Sequence, residues 1–144
     1  MLKALSIVGF IGMAGGVIAQ FATRNLFSSS PLVIAVQVGA GVLLLWARLA
    51  FGRRSFHVAA NPTEGGLVTS GPYRYIRHPI YTAVGLFSGA GVVAHWSWAS
   101  GLLGGLVVGG AVLRILCEEV MVTALYPEYR HYAARTWRMI PHVF

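Results

Sequence analysis

The chain has 144 residues, 56% of them hydrophobic and only 10% charged, with a mean hydropathy of +0.68. Soluble domains carry about 25% charged residues, so a water-soluble globule is excluded and an all-α integral membrane protein is expected. Eleven basic residues against four acidic ones point to anionic headgroups rather than nucleic acid, because a nucleic-acid binder would not be this apolar.

The first predicted element is a span over Ala4–Thr23, uncharged and long enough to cross a bilayer. It is long for the apolar region of a secretory signal, and no small-x-small cleavage site leads from it into a soluble domain. "RNLFSSSP" links it to a second span, Leu32–Ala47, with Pro31 at its start and Arg48 at its end. The loop from Arg48 to His78 carries five arginines, two prolines and several glycines. From Ile80 to Leu113 there is no formal charge with His95 neutral. That is too long for one untilted span, and it predicts two helices meeting near "HWSW", His95–Trp98, with the tryptophans at the membrane interface.

The last span ends at "RILCEE", and the tail "YPEYRHYAARTWRMIPHVF" is expected as an amphipathic helix from about Pro127. At helical spacing Tyr129, Tyr132, Ala133, Trp137 and Ile140 share one face, and Arg130, Arg135 and Arg138 fall largely on the other. A helix of this kind serves as an interfacial anchor with its arginines toward phosphate, or as a lid over a pocket.

The expectation is one domain over residues 1–144, with about four transmembrane helices plus a C-terminal amphipathic helix. With four spans, ten of the eleven basic residues lie on one side and Arg24 alone on the other. The positive-inside rule then places both termini and the long loop in the cytoplasm. Gly101, Gly105 and Gly109 repeat at helical spacing, as do Gly12 with Gly16 and Gly85 with Gly89, and predict close helix packing in lipid.

Two stretches carry chemistry. In "GPYRYIRHPIYTA", Gly71–Ala83, Pro79 is placed for the first turn of a helix, where its missing N–H is harmless. Arg77 and His78 precede that helix start, where free backbone N–H groups attract anions; Tyr81 adds a hydroxyl. The alternative is a basic membrane-flanking loop. In "RILCEEV", Glu118 and Glu119 are half of the acidic residues. Ionisable groups near membrane depth line a site or are paired, so one is expected to pair with Arg114 or a loop arginine and the other to face a ligand amine or hydroxyl. Cys117 reads as packing, and no metal-binding or nucleotide-hydrolysis motif is present.

"LVTSGPYRYIRHPIYTA" (Leu67–Ala83), the "EE" pair and "YPEYRHYAARTWRMIP" (Tyr126–Pro141), in that order, resemble the isoprenylcysteine carboxyl methyltransferase and phospholipid methyltransferase superfamily. The resemblance divides the chain into two N-terminal spans, 1–47, and a cofactor-binding half, 67–141. It implies a small membrane methyltransferase using S-adenosylmethionine. The RHPxYxG block is matched by Arg77, His78, Pro79 and Tyr81, with Ala83 in the glycine's place; the paired glutamates are Glu118 and Glu119; the Y-x-x-Y of the tail is Tyr129 and Tyr132. On this reading His78, Pro79, Tyr81, Glu119, Tyr129 and Tyr132 bind the cofactor; Glu118 orients an amine acceptor or takes its proton, and Arg77 or Arg74 positions a carboxylate one. The acceptor is a lipid-like amine or carboxylate dissolved in the membrane; no nucleic acid or metal is implied. An NADPH-dependent membrane reductase and a non-catalytic lipid-binding protein are the alternatives.

Overall fold

The computed structural model describes residues 1–52 and 66–144. Arg53 and Arg54 of the expected basic loop lie outside the described residues. Four helices make the body: α1, Leu2–Ala22; α2, Pro31–Phe51; α3, Pro79–Ala94; and α4, Trp98–Leu125. A 3₁₀ turn, Gly71–Arg74, precedes α3, and a short helix α5, Tyr129–Ala133, follows α4. The described residues form no strand beyond one isolated bridge. Three helices, α1, α2 and α4, are long and apolar enough to cross a membrane, whereas α3 has only 16 residues. The chain is an all-α membrane protein.

Local chemistry sets the boundaries. Pro31 and Pro79 open α2 and α3 at their first turns, where a fixed φ favours the helix. The break expected at "HWSW" is a sharp one. α3 ends at Ala94, and Ser97 and Ser100 form a reciprocal capping box at the start of α4, which satisfies backbone donors that lipid cannot. His95 Nε2 lies 2.7 Å from the carbonyl oxygen of Phe27, tying this turn to the α1–α2 link.

α1 packs along α4 and α2 along α3, and α3 joins the two pairs through α4. The α1–α4 crossing depends on Gly9 and Gly110. A Cβ on Gly110 would lie 2.5 Å from the Gly9 carbonyl oxygen and 2.6 Å from the Met13 nitrogen, so only glycine allows this approach. Gly12 and Gly16 also face α4. The other expected stripe does not pack in this way. Gly105 and Gly109 have nothing within 4 Å of a Cβ, and Gly101 meets only Trp96. Those three lie on a face of α4 turned away from α1; spacing reveals a stripe but not which face finds a partner. Beneath the crossing, Met13, Tyr81, Val107, Ala111, Ile115 and Met139 form the core.

The tail departs from the expected helix. α5 stops at Ala133, and the chain then runs beside the loop before α3 in a parallel bridge, Ile76 with Trp137. The Arg77 N–H donates to the Trp137 carbonyl at 2.7 Å, the His78 N–H to that of Arg138 at 2.9 Å, and the Trp137 N–H to that of Tyr75 at 3.0 Å. Buried backbone groups require partners, and here an extended tail supplies them to a loop that Pro79 prevents from being helical. The shared aromatic face therefore dissolves: Tyr129 is buried while Trp137 and Ile140 are exposed. Arg138, expected on the face opposite Tyr129, instead directs its Nε to Glu119.

Candidate functional site

Glu118 and Glu119 lie on α4, one turn beyond Arg114. Consecutive helical side chains diverge by about 100°, and the two carboxylates accordingly have separate partners.

Glu119 is gripped from the loop and the tail. Arg77 Nε donates to its Oε1 at 2.8 Å and Arg138 Nε to its Oε2 at 2.8 Å. His78 Nε2 lies 3.4 Å from Oε1, and the Tyr129 hydroxyl donates to the same oxygen at 3.3 Å. Arg77 also holds the tail backbone, donating from Nη1 to the carbonyls of Ala133, at 2.9 Å, and Thr136. The guanidinium thus closes the α5 C-terminus, where unpaired carbonyls gather.

Glu118 is gripped from within the bundle. The Tyr81 hydroxyl donates to its Oε1 at 2.5 Å, and Arg114 Nε donates to that oxygen at 3.0 Å and to the Tyr81 hydroxyl at 2.5 Å. Arg114 is buried, with its guanidinium 5.1 Å from the centre of the Phe10 ring of α1. His78 bridges the two corners. Its Nδ1 is 3.7 Å from Glu118 Oε2, and its ring stacks on Tyr81 with centroids 5.8 Å apart.

The tail closes over this cluster through further contacts. The Thr82 hydroxyl donates to the Met139 carbonyl at 2.9 Å, and the Tyr132 hydroxyl to that of Tyr73 at 2.6 Å. Burial pushes the Tyr132 phenol up to about 12, with Arg77 acting in the opposite sense. Burial also raises Tyr129, helped by the Glu119 charge, and Tyr73. These phenols stay protonated at neutral pH and serve as hydrogen-bond donors.

Seven of the eight candidate residues are polar, and their side chains meet here; Pro79 is buried at the start of α3 and sets the angle at which His78 enters. Tyr132 touches no carboxylate; its ring meets that of Tyr129, with centroids 5.7 Å apart. The sequence leads one to expect a single glutamate paired with Arg114 or a loop arginine and the other turned to a ligand; instead both are paired, Glu118 with Arg114 and Glu119 with Arg77. Arg138 and Thr82 are members that sequence reasoning missed, because their partners lie far away along the chain. Cys117 is buried. The open recess lined by Phe51, Leu67 and Ser70 shares no residue with the cluster.

Residues 30–129, well over half of the chain, match the family described as phospholipid methyltransferase. The chain belongs to the phospholipid methyltransferase family. The match runs from the residue before α2 to the first residue of α5, so it takes in His78, Tyr81, Glu118 and Glu119 and stops short of Arg138. No curated protein matches the chain. Membership in the phospholipid methyltransferase family implies methyl transfer to a lipid, in keeping with helices able to span a membrane.

Proposed function

We propose that this protein transfers a methyl group from S-adenosylmethionine to the amine of a membrane-dissolved lipid. The observation that carries this reading is the meeting of two adjacent carboxylates with His78, Tyr81 and a tail-borne tyrosine at one end of an apolar bundle. The donor set suits the cofactor: Glu119 can accept from its hydroxyl and amino groups, and His78, Pro79, Tyr81, Tyr129 and Tyr132 would complete the binding surface. When bound, S-adenosylmethionine supplies a methyl group already activated on sulfur.

The protein's task is then alignment, exclusion of water and removal of a proton. An ammonium has no lone pair to attack with, so Glu118 is the group to orient the amine and receive its proton. Tyr81 and Arg114 fix the carboxylate's position for that role. A carboxylate acceptor would need a cation in place of Glu118; Arg77 spends Nε and Nη1 on Glu119 and the tail carbonyls, and the amine is the acceptor that gives Glu118 a task. The charge asymmetry of the sequence supports a cytoplasmic opening, with the lipid arriving laterally.

Equilibrium binding of radiolabelled S-adenosylmethionine to the detergent-solubilised protein tests this, with NADPH as competitor. Saturable binding that NADPH does not displace is expected. Displacement by NADPH, or no binding, would overturn the reading. A methylation screen over phosphatidylethanolamine, prenylcysteine and small thiols then identifies the acceptor, with the amine lipid expected to be the substrate.

A further inference from the structure

The cluster holds three guanidinium groups and two carboxylates, so with a neutral His78 it carries one surplus positive charge. Arg77 and Arg114 are buried against their partners, with side chains only 9% and 6% exposed. Arg138 differs. Its side chain is 37% exposed, and only Nε is engaged, by Glu119 Oε2. One face of its guanidinium lies against the Phe144 ring, 5.1 Å from the centroid. Its two Nη groups have no hydrogen-bond partner among the described residues. A guanidinium anchored through Nε and backed by an aromatic ring presents a rigid fork of two donors, the geometry that matches a phosphate or a carboxylate bidentately.

We propose that this free edge of Arg138 holds the phosphodiester of the lipid acceptor and so selects phospholipids over other membrane amines. The proposal rests on the methyltransferase reading and names the part of the acceptor that the carboxylates leave unrecognised. Arg138 is bound to Glu119, and Glu118 is the next residue on α4. In an aminoethyl phosphodiester the anion and the amine are likewise separated by one short bridge. The phosphate meets the surplus cation as the amine meets the carboxylate. The same fork would equally fit the carboxylate of the cofactor's amino-acid end, and the two sources of oxyanion differ in what a substitution changes.

Arg138→Gln removes the charge; Arg138→Lys keeps the charge and the partner Glu119 but loses the fork. Both are compared with the wild type in mixed micelles, using phosphatidylethanolamine, hexadecylamine, which lacks phosphate, and dihexadecyl phosphate, which lacks an amine. Wild type is expected to prefer phosphatidylethanolamine over hexadecylamine in kcat/KM by about tenfold or more, the range for a charge-assisted hydrogen bond. Arg138→Gln is expected to erase that preference through KM and to lose dihexadecyl phosphate binding, followed by tryptophan emission. Arg138→Lys is expected to fall between the two. S-adenosylmethionine is held at saturation for each variant, because Arg138 also grips Glu119 and a change in cofactor affinity must not enter the ratio of the two lipids. A preference that survives Arg138→Gln overturns the proposal and gives the fork to the cofactor's carboxylate, and dihexadecyl phosphate binding that survives it overturns the proposal as well. Should the wild type bind no S-adenosylmethionine, the methyltransferase reading falls, while the dihexadecyl phosphate measurement, which needs no turnover, still decides whether Arg138 is an oxyanion site.

Discussion

The corner around Glu118 and the corner around Glu119 are adjacent in sequence and unlike in construction. Glu118 is held by Tyr81 and Arg114, side chains of α3 and α4, with Phe10 of α1 behind the arginine. Folding of the bundle is sufficient to build it. Glu119 is held by the loop and the tail, through Arg77, His78, Tyr129 and Arg138, and is complete only when residues after α4 return to dock. The difference separates two tasks under the proposed function: a fixed carboxylate for the acceptor, and a closable one for the cofactor.

The strongest way to break this comparison is truncation after Tyr126. It removes Tyr129, Arg138 and the carbonyls that hold Arg77, yet leaves all four long helices. Methyl transfer is expected to be abolished while the helices remain inserted, with cysteines at Ser29 and Thr69 labelled from opposite sides. Full activity of the truncated chain would reduce the tail to a passive anchor.

Arg114→Met sharpens the comparison at the level of stability. Removing one partner of a buried ion pair leaves the other uncompensated and is expected to destabilise by about 3–5 kcal/mol. Arg138→Gln, at a half-exposed pair, is expected to change stability by about 1 kcal/mol or less. Thermal unfolding in detergent measures both, and equal losses would contradict the distinction between a preformed and a docked corner.

Binding follows in size. His78→Ala and Glu119→Ala are each expected to weaken S-adenosylmethionine binding by about 1.5–3 kcal/mol, roughly tenfold or more, in protein that still folds. Unchanged affinity in both variants would remove the cofactor from this corner.

The smallest effect concerns pH. Tyr132 titrates near 12 when docked, against its ordinary 10.0. Because the folded value is the higher, its contribution to tail docking is fully present below pH 10 and is lost as the pH rises toward 12. Tyr132→Phe should remove about 1 kcal/mol of docking stability at neutral pH and flatten the alkaline loss. Hydrogen exchange along Tyr126–Pro141 reads both; an alkaline profile identical to wild type would exclude Tyr132 as its source.

Local signals were legible in the sequence and long-range ones were not. The apolar runs, Pro31, Pro79 and "HWSW" announced four helices, because lipid forces each span to satisfy its own backbone. The "RHPIY" and "EE" blocks announced the carboxylate cluster, because ionisable groups at membrane depth need partners. The tail was misread since the spacing of Tyr129, Tyr132 and Trp137 is helical, yet the Arg77 and His78 amides draw residues 137 and 138 into extended pairing. Arg138 was placed on the wrong side for the same reason. The Gly101–Gly109 stripe was overvalued because a periodic pattern carries no information about its neighbour, whereas the pair that matters, Gly9 and Gly110, is spread over the length of the chain.

The brevity of α3 has a consequence for the membrane itself. Sixteen residues rise about 24 Å, short of the bilayer's hydrocarbon thickness of about 30 Å, whereas α4 climbs about 30 Å between Trp98 and Glu118. α3 ends and α4 begins at the same turn, so for helices of equal tilt the opening of α3, with His78, lies about 6 Å below the level that α4 reaches at its glutamates. A bilayer meeting this uneven rim must thin beside α3 to cover it, at a fraction of a kcal/mol per ångström. On the α4 side, where the helix reaches the full hydrocarbon thickness at its glutamates, Glu118 stands level with the headgroups, so under the proposed function the lipid does not have to be lifted out of its leaflet. Membranes of longer acyl chains raise the headgroups past Glu118, which under the proposed function makes bilayer thickness a control on how readily the acceptor reaches it.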